Sequence, residues 1–231
     1  MKRGVVCFVL AAFFALPALA AAEVNGVYVA PRFLVGIQDS GQLSRTNTRW
    51  LDGAQMVDQY SQVVFGGALA LGYNFGPKFN VPIRAEVEYA MRSNAGNNKD
   101  GSSAGGSWWN TKQTMNVSTL FFNGYFDIPT GTPFTPYIGG GLGMAFNYTQ
   151  VKAEGFEPGG GAPWSENKSR YDTTFAWNAG AGLSYAFTEH VSADLGYRFI
   201  GAGNREVKLG DTKVSSTPYI NEFYLGGRFT F

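Results

Sequence analysis

The sequence contains one cysteine and one histidine in 231 residues. Cys7 lies in an apolar stretch at the N-terminus, too near the start for a lipoprotein attachment site, so no disulfide framework can form and thiolate chemistry is excluded. Any imidazole chemistry falls to His190 alone. Charge of one sign is also missing, since 18 basic residues face 17 acidic ones, and a near-neutral chain argues against nucleic-acid binding. Past residue 22 no run approaches the roughly 18 consecutive apolar residues of a membrane-spanning helix. What the sequence does have is glycine, 31 residues, and aromatics at 16%. A chain of this composition enters a membrane only as strands.

Met1-Lys2-Arg3-Gly4 gives a short basic start, Val5 to Leu16 is almost wholly apolar, and Pro17 precedes the small residues Ala18 to Ala22. This three-part layout is that of a secretory signal peptide over residues 1–22, with cleavage after Ala20 or after Ala22. A spanning helix would need roughly 20 apolar residues, and Pro17 interrupts the run. Removing Lys2 and Arg3 leaves 16 basic and 17 acidic residues, a formal charge of −1.

Residues 23–231 read as one all-β domain. Candidate strands run 26–37, 60–75, 82–92, 114–127, 136–149, 172–187, 190–200 and 220–231. The connectors alternate: 38–59, 93–113, 150–171 and 201–219 are long, whereas 76–81, 128–135 and 188–189 are short. That asymmetry predicts an eight-stranded antiparallel up-and-down transmembrane β-barrel with four long extracellular loops and short periplasmic turns.

Period-2 alternation supports it. In the last strand Phe223, Leu225, Gly227, Phe229 and Phe231 share one face, with Glu222, Tyr224, Gly226, Arg228 and Thr230 on the other. Strand seven sets Val191, Ala193, Leu195, Tyr197 and Phe199 against Ser192, Asp194, Gly196 and Arg198. Strand three sets Ile83, Ala85, Val87, Tyr89 and Met91 against Arg84, Glu86, Glu88 and Arg92. A soluble sandwich would show the same alternation with its apolar face inward, so the strand ends decide. Tyr73 with Phe75, Tyr185 with Phe187, Phe229 with Phe231 and, more loosely, Tyr125 with Phe126 suit a periplasmic aromatic girdle. Tyr89, Phe146, Tyr148, Phe175, Trp177, Tyr197, Phe199 and Phe223 suit the outer headgroup level.

With a leader, eight strands and the ending Phe223-Tyr224-Leu225-Gly226-Gly227-Arg228-Phe229-Thr230-Phe231, the chain resembles the opacity-type, or OmpA/OmpX-like, outer-membrane β-barrel proteins. Leu120 to Asp127 and Pro136 to Gly143 resemble that family's central hairpin. The resemblance implies residence in the outer membrane of a Gram-negative cell. It also implies that the assembly machinery there recognises the last strand, through Phe223, Leu225, Phe229 and Phe231. With Phe231 closing the final strand, no appended domain is expected.

The inward-facing charges Arg32, Arg84, Arg198 and Arg228 nearly balance Glu86, Glu88, Asp127, Asp194 and Glu222, which points to mutual pairing in a plugged lumen. A narrow channel is the alternative. Some barrels of this size modify lipids with a histidine and Ser, Asp or Glu, and His190 has Glu189 and Ser192 nearby; a polar turn offers such neighbours by chance. The acids Asp39, Asp52, Asp58, Asp100, Glu154, Glu157, Glu166, Asp172, Glu206 and Asp211 are scattered, and Asn97-Asn98-Lys99-Asp100-Gly101 puts a lysine where a calcium loop needs oxygen ligands. Gly139-Gly140-Gly141-Leu142-Gly143 lacks phosphate-loop spacing and reads as curvature in a crowded wall. Trp50, Trp108, Trp109 and Trp164 fall in the long connectors and read as contact residues or rim anchors.

No catalytic residue, cofactor or metal is therefore expected. The expected partners are outer-membrane lipid and lipopolysaccharide, the assembly machinery, and host or other surface ligands at the loops.

Overall fold

The computed structural model describes residues 26–39, 43–46, 61–102, 106, 108–156, 163–203, 205–209 and 212–231. The leader, both cleavage sites and Trp50 lie outside them. Eight strands close on themselves: β1 (Val27–Asp39), β3 (Ser61–Asn74), β4 (Ile83–Arg92), β6 (Trp108–Asp127), β7 (Phe134–Phe156), β8 (Trp164–Ala186), β9 (Val191–Gly201) and β12 (Tyr219–Thr230). Each pairs antiparallel with its neighbours in the chain, β4 with β6 across the β5 insertion, and β12 returns to β1. No wall strand is left with an open edge around the barrel's waist, which is what lets strands stand in a solvent without hydrogen-bonding partners.

The faces are inverted relative to a soluble protein. Phe33, Leu69, Leu71, Phe122, Leu142, Phe175 and Phe223 are each more than half exposed, while Arg84, Glu86, Glu88, Arg198 and Glu222 are buried. A girdling apolar surface of this extent has lipid as its solvent, and the charged face lines the lumen. This rules out the sandwich, which needs the opposite polarity.

One rim carries the turns after β3, β6 and β8 together with residues 26 and 231, and is called the turn end. A four-residue helix, Gly76–Phe79, fills the first of these turns. There the Gly26 amide donates to the Phe231 carbonyl at 3.1 Å and the Phe231 amide to the Val27 carbonyl at 2.8 Å, joining the start of β1 to the end of β12. The opposite rim, the hairpin end, differs from the sequence expectation. Stretches read as loops continue as paired strands: β6 and β7 stay in register from Asp127↔Tyr137 out to Trp108↔Phe156, and β7 and β8 out to Gly155↔Trp164. β5 (Ala95–Ser102) lies along the outer part of β6. β2 (Leu43–Thr46), β10 (Arg205–Leu209) and β11 (Thr212–Ser216) form a separate three-stranded sheet. Glycine, asparagine and serine marked these segments as loops, but ladder pairing uses backbone groups, which polar composition does not forbid. Trp108 and Trp109 thus open β6 and Trp164 opens β8.

The wall is thin where tyrosines lie across it. Tyr28, Tyr125, Tyr137 and Tyr224 all point inward, and the cross-strand partner of each is a glycine: Gly72, Gly139, Gly182 and Gly196. A β-carbon at Gly72, Gly182 or Gly196 would stand 2.3 to 2.4 Å from the facing ring, so only hydrogen fits. Tyr125 therefore belongs to the lumen, not to the girdle, because adjacent strand residues face opposite ways and Phe126 takes the outward position.

Candidate functional site

Two features offer chemistry: the packed lumen and the strands that continue past the wall. In the lumen, strand alternation brings Arg32, Arg84, Glu86, Glu88, Asp127, Asp194, Arg198, Glu222 and Arg228 into two connected groups. Near the waist, Arg32 Nη1 donates to Glu86 Oε1 at 2.6 Å and also bonds Glu88 Oε2. Arg198 joins Glu88 at 2.6 Å and Glu222 at 2.7 Å. The chain of charges ends on Arg92, whose Nε donates to Glu222 Oε2 at 2.6 Å. Nearer the turn end, Arg84 Nε meets Asp127 Oδ2 at 2.8 Å. Asp194 sits more loosely between Arg84 and Arg228, at 3.9 and 3.7 Å.

Arg92 is the residue that sequence reasoning left out of the cluster, although its spacing from Arg84, Glu86 and Glu88 had put it on the charged face. With it, Arg32, Arg84, Arg92, Arg198 and Arg228 equal Glu86, Glu88, Asp127, Asp194 and Glu222 in number. The tyrosines were missed as well. Tyr28 and Tyr125 donate to the two oxygens of Glu86 at 3.0 and 2.8 Å, so this carboxylate is saturated. Tyr224 lies between two guanidiniums, with Arg32 at 5.2 Å and Arg198 at 5.5 Å from its ring centre. Nothing in a one-dimensional pattern distinguishes a luminal tyrosine from a girdle tyrosine except the parity of its position.

Toward the hairpin end the charges give way to an apolar layer of Val117, Phe121, Ala145, Ala176, Ile200, Ala202 and Ile220. Ile200 and Ile220 each lie one inward position beyond Arg198 and Glu222 on their strands, and both are fully buried. Charge pairs surrounded in this way are held by each other and by hydroxyl and ring donors, since water would have to cross the apolar layer to reach them from that side.

His190 lies in the turn before β9. Its Nδ1 is 3.1 Å from the Thr230 carbonyl oxygen, and its backbone carbonyl accepts from the Thr230 amide at 2.8 Å. Among the described residues that carbonyl is the ring's hydrogen-bond partner, so the contact ties the turn to the last strand. In that strand Phe223 and Leu225 point outward and exposed, and Phe229 and Phe231, half-buried, continue the same outward face to the turn end.

The model for the outer membrane protein beta-barrel domain matches residues 6–226. The chain belongs to this family. Outer membrane protein PagN of Salmonella typhimurium is 31% identical over 196 residues, covering 78% of this chain and 79% of the relative. A putative adhesin of Rickettsia bellii is 26% identical over 167 residues, covering 69% of this chain and 71% of its own. Among solved structures, OprG from Pseudomonas aeruginosa aligns with a TM-score of 0.47 at 17% identity, covering 90% of this chain and 98% of that one. Membership agrees with the inverted faces: this is an outer-membrane β-barrel, with lipid around its waist.

Proposed function

We propose that this outer-membrane barrel is a non-catalytic surface-interaction protein, anchored by its wall and acting through the strands and loops of its hairpin end, which face the outside of the cell. The filled lumen carries this reading. A barrel whose interior is occupied by paired charges, tyrosines and an apolar layer offers a ligand its ends rather than a passage. At the hairpin end β5 to β8 continue past the wall as a paired sheet, a firmer platform for contact than flexible loops. The name of the Rickettsia relative, a putative adhesin, points the same way. The last strand is read as the segment engaged by the assembly machinery, through Phe223, Leu225, Phe229 and Phe231.

The test is display of the protein on cells that lack it, compared with a variant whose β7–β8 hairpin is shortened beyond Tyr148 and Tyr171. Binding of the displaying cells to host-cell or matrix surfaces should fall with the shortened hairpin while heat-modifiable barrel persists in the outer-membrane fraction. Unchanged binding by the shortened variant, or no binding by the full chain to any surface, would remove the reading.

A further inference from the structure

We propose that Gln62 is a releasable latch: its side-chain amide holds β5, and with β5 the outer sheet, against the rim of the barrel, and an unpaired oxygen on Gln38 gives it a second partner when it lets go. The eight-stranded wall stays closed in both states.

The latch sits where the wall is interrupted. β3 pairs with β4 from Asn74↔Arg84 up to Gly66↔Arg92. Beyond that, residues 61–65 of β3 keep their ladder with β1, but among the described residues they have no ladder partner on the other side. The strand that would stand there has been bent away. Between Ala90↔Thr119 and Ala95↔Met115, five steps along β4 and β5 are matched by four along β6, the one-residue excess of a β-bulge. Asn116 fixes the bulge from the β6 side, its Nδ2 donating to the Arg92 carbonyl at 2.7 Å and to Asn94 Oδ1 at 3.1 Å. From the β3 side, the Ser93 amide donates to the Phe65 carbonyl at 2.6 Å and the Phe65 amide to Ser93 Oγ at 3.1 Å. Past this point β5 is laddered to β6 alone.

Gln62 spans the break. Its Nε2 donates to the Gly96 carbonyl at 3.1 Å, and its Oε1 accepts from the Gly96 amide at 2.6 Å. Giving and receiving both bonds with one residue is the pattern of a hydrogen-bonded pair in an antiparallel ladder, here with a side-chain carboxamide in place of the neighbouring peptide. A backbone ladder would hold β5 along its length, whereas this join holds it at one residue through a flexible side chain. Hydrogen bonds at an exposed position trade against water for little net gain, so the joined and released states lie close in free energy.

Gln38 supplies the alternative. It is the direct cross-strand partner of Gln62 on β1, on the same face, where β-carbons stand roughly 4.5–5.5 Å apart. Gln38 is buried, and among the described residues its Oε1 has no hydrogen-bond partner. A buried carbonyl oxygen without a donor is costly and calls for a reason. The Gln62 Nε2 group has two N–H donors, so a swing of the carboxamide from Gly96 to Gln38 exchanges one acceptor for another. Gly96 is exposed and is solvated when the latch leaves it. The two ends of the swing thus differ in kind: one acceptor is open to water, and the other has only Gln62 to satisfy it.

The test is amide hydrogen exchange of the refolded protein in detergent micelles, with no ligand added, read residue by residue by NMR. Gln62→Ala should raise the exchange rate of the Gly96 amide roughly tenfold, as expected for losing a pair of exposed hydrogen bonds, while amides of β9 and β12 keep the wild-type rate. Gln38→Leu should slow Gly96 exchange severalfold below wild type, because the released state loses its partner and the latched state keeps both bonds. A glutamine that merely packed the rim would not respond to Gln38 in this way. An unchanged Gly96 rate in Gln62→Ala would overturn the proposal, as would a Gln38→Leu rate equal to or above wild type. Exchange that rises equally in β9 would mean that the whole barrel had loosened, and would overturn it too. If Gln62→Ala does not refold, Gln62→Asn, one methylene shorter, is read in the same way, and the Gln38→Leu arm decides independently of either. No partner molecule takes part, so the outcome is separable from success or failure of cell-surface binding.

Discussion

Arg92 and Glu222 are 130 positions apart in the chain and form a two-point ion pair across the lumen, at 2.6 Å from Nε and 3.1 Å from Nη2. They join β4 to β12, strands that share no ladder. Both side chains are fully buried. Replacing Arg92 by Ala leaves the Glu222 carboxylate with Arg198 alone and should cost about 3–5 kcal/mol, the usual result of stranding one partner of a buried pair. Replacing both, Arg92→Met with Glu222→Leu, should cost less than either single change would suggest. Denaturant titration of the refolded barrel, read by gel migration, measures both; additive losses would show that the pair acts as two independent side chains.

The tyrosine-on-glycine contacts predict a coupled loss. Gly196→Ala puts a methyl group against the Tyr224 ring and should destabilise by about 1–3 kcal/mol, in the range of overpacking. The double change Gly196→Ala, Tyr224→Leu should lose less than the sum of the singles, because the clash is removed. A strictly additive double variant in the same titration would refute the steric account.

A filled lumen should not conduct. Purified protein in planar bilayers is expected to give no discrete current steps, and steps that vanish on changing Ile200 or Ile220 to a larger side chain would instead establish the narrow channel.

The role assigned to the last strand separates assembly from folding. Phe231→Ala should lower the amount of folded barrel in the outer membrane of cells severalfold while leaving refolding into detergent nearly intact, since Phe231 is joined to the start of β1 through backbone groups. An equal defect in detergent would mean that the ring serves packing and not recognition.

His190→Ala tests the enzymatic alternative. Mass spectrometry of membrane lipids from cells with and without the substitution should give the same acyl profiles, and a difference that follows the substitution would assign His190 a reaction.

Much of this was written in the residue order. Period-2 alternation in Ile83–Arg92, Val191–Gly201 and Tyr219–Thr230 fixed which side chains share a face, because strand geometry leaves no choice once a segment is extended. The scarcity of apolar runs excluded helices as the spanning element, and the nine charges at alternating positions marked the lumen. The sequence could not say which charge meets which. Arg92 and Glu222 are brought together by barrel closure and by the stagger of eight strands, quantities that belong to the whole ring and to no segment of it. Tyr125 was separable from the girdle only by its parity against Phe126, and Gly196 as the floor beneath Tyr224 could not be read at all, since that depends on the neighbouring strand's register. The strands beyond the wall escaped for a related reason: their polar residues look like loop, and only pairing with a partner already held by the barrel satisfies the backbone well enough to extend them.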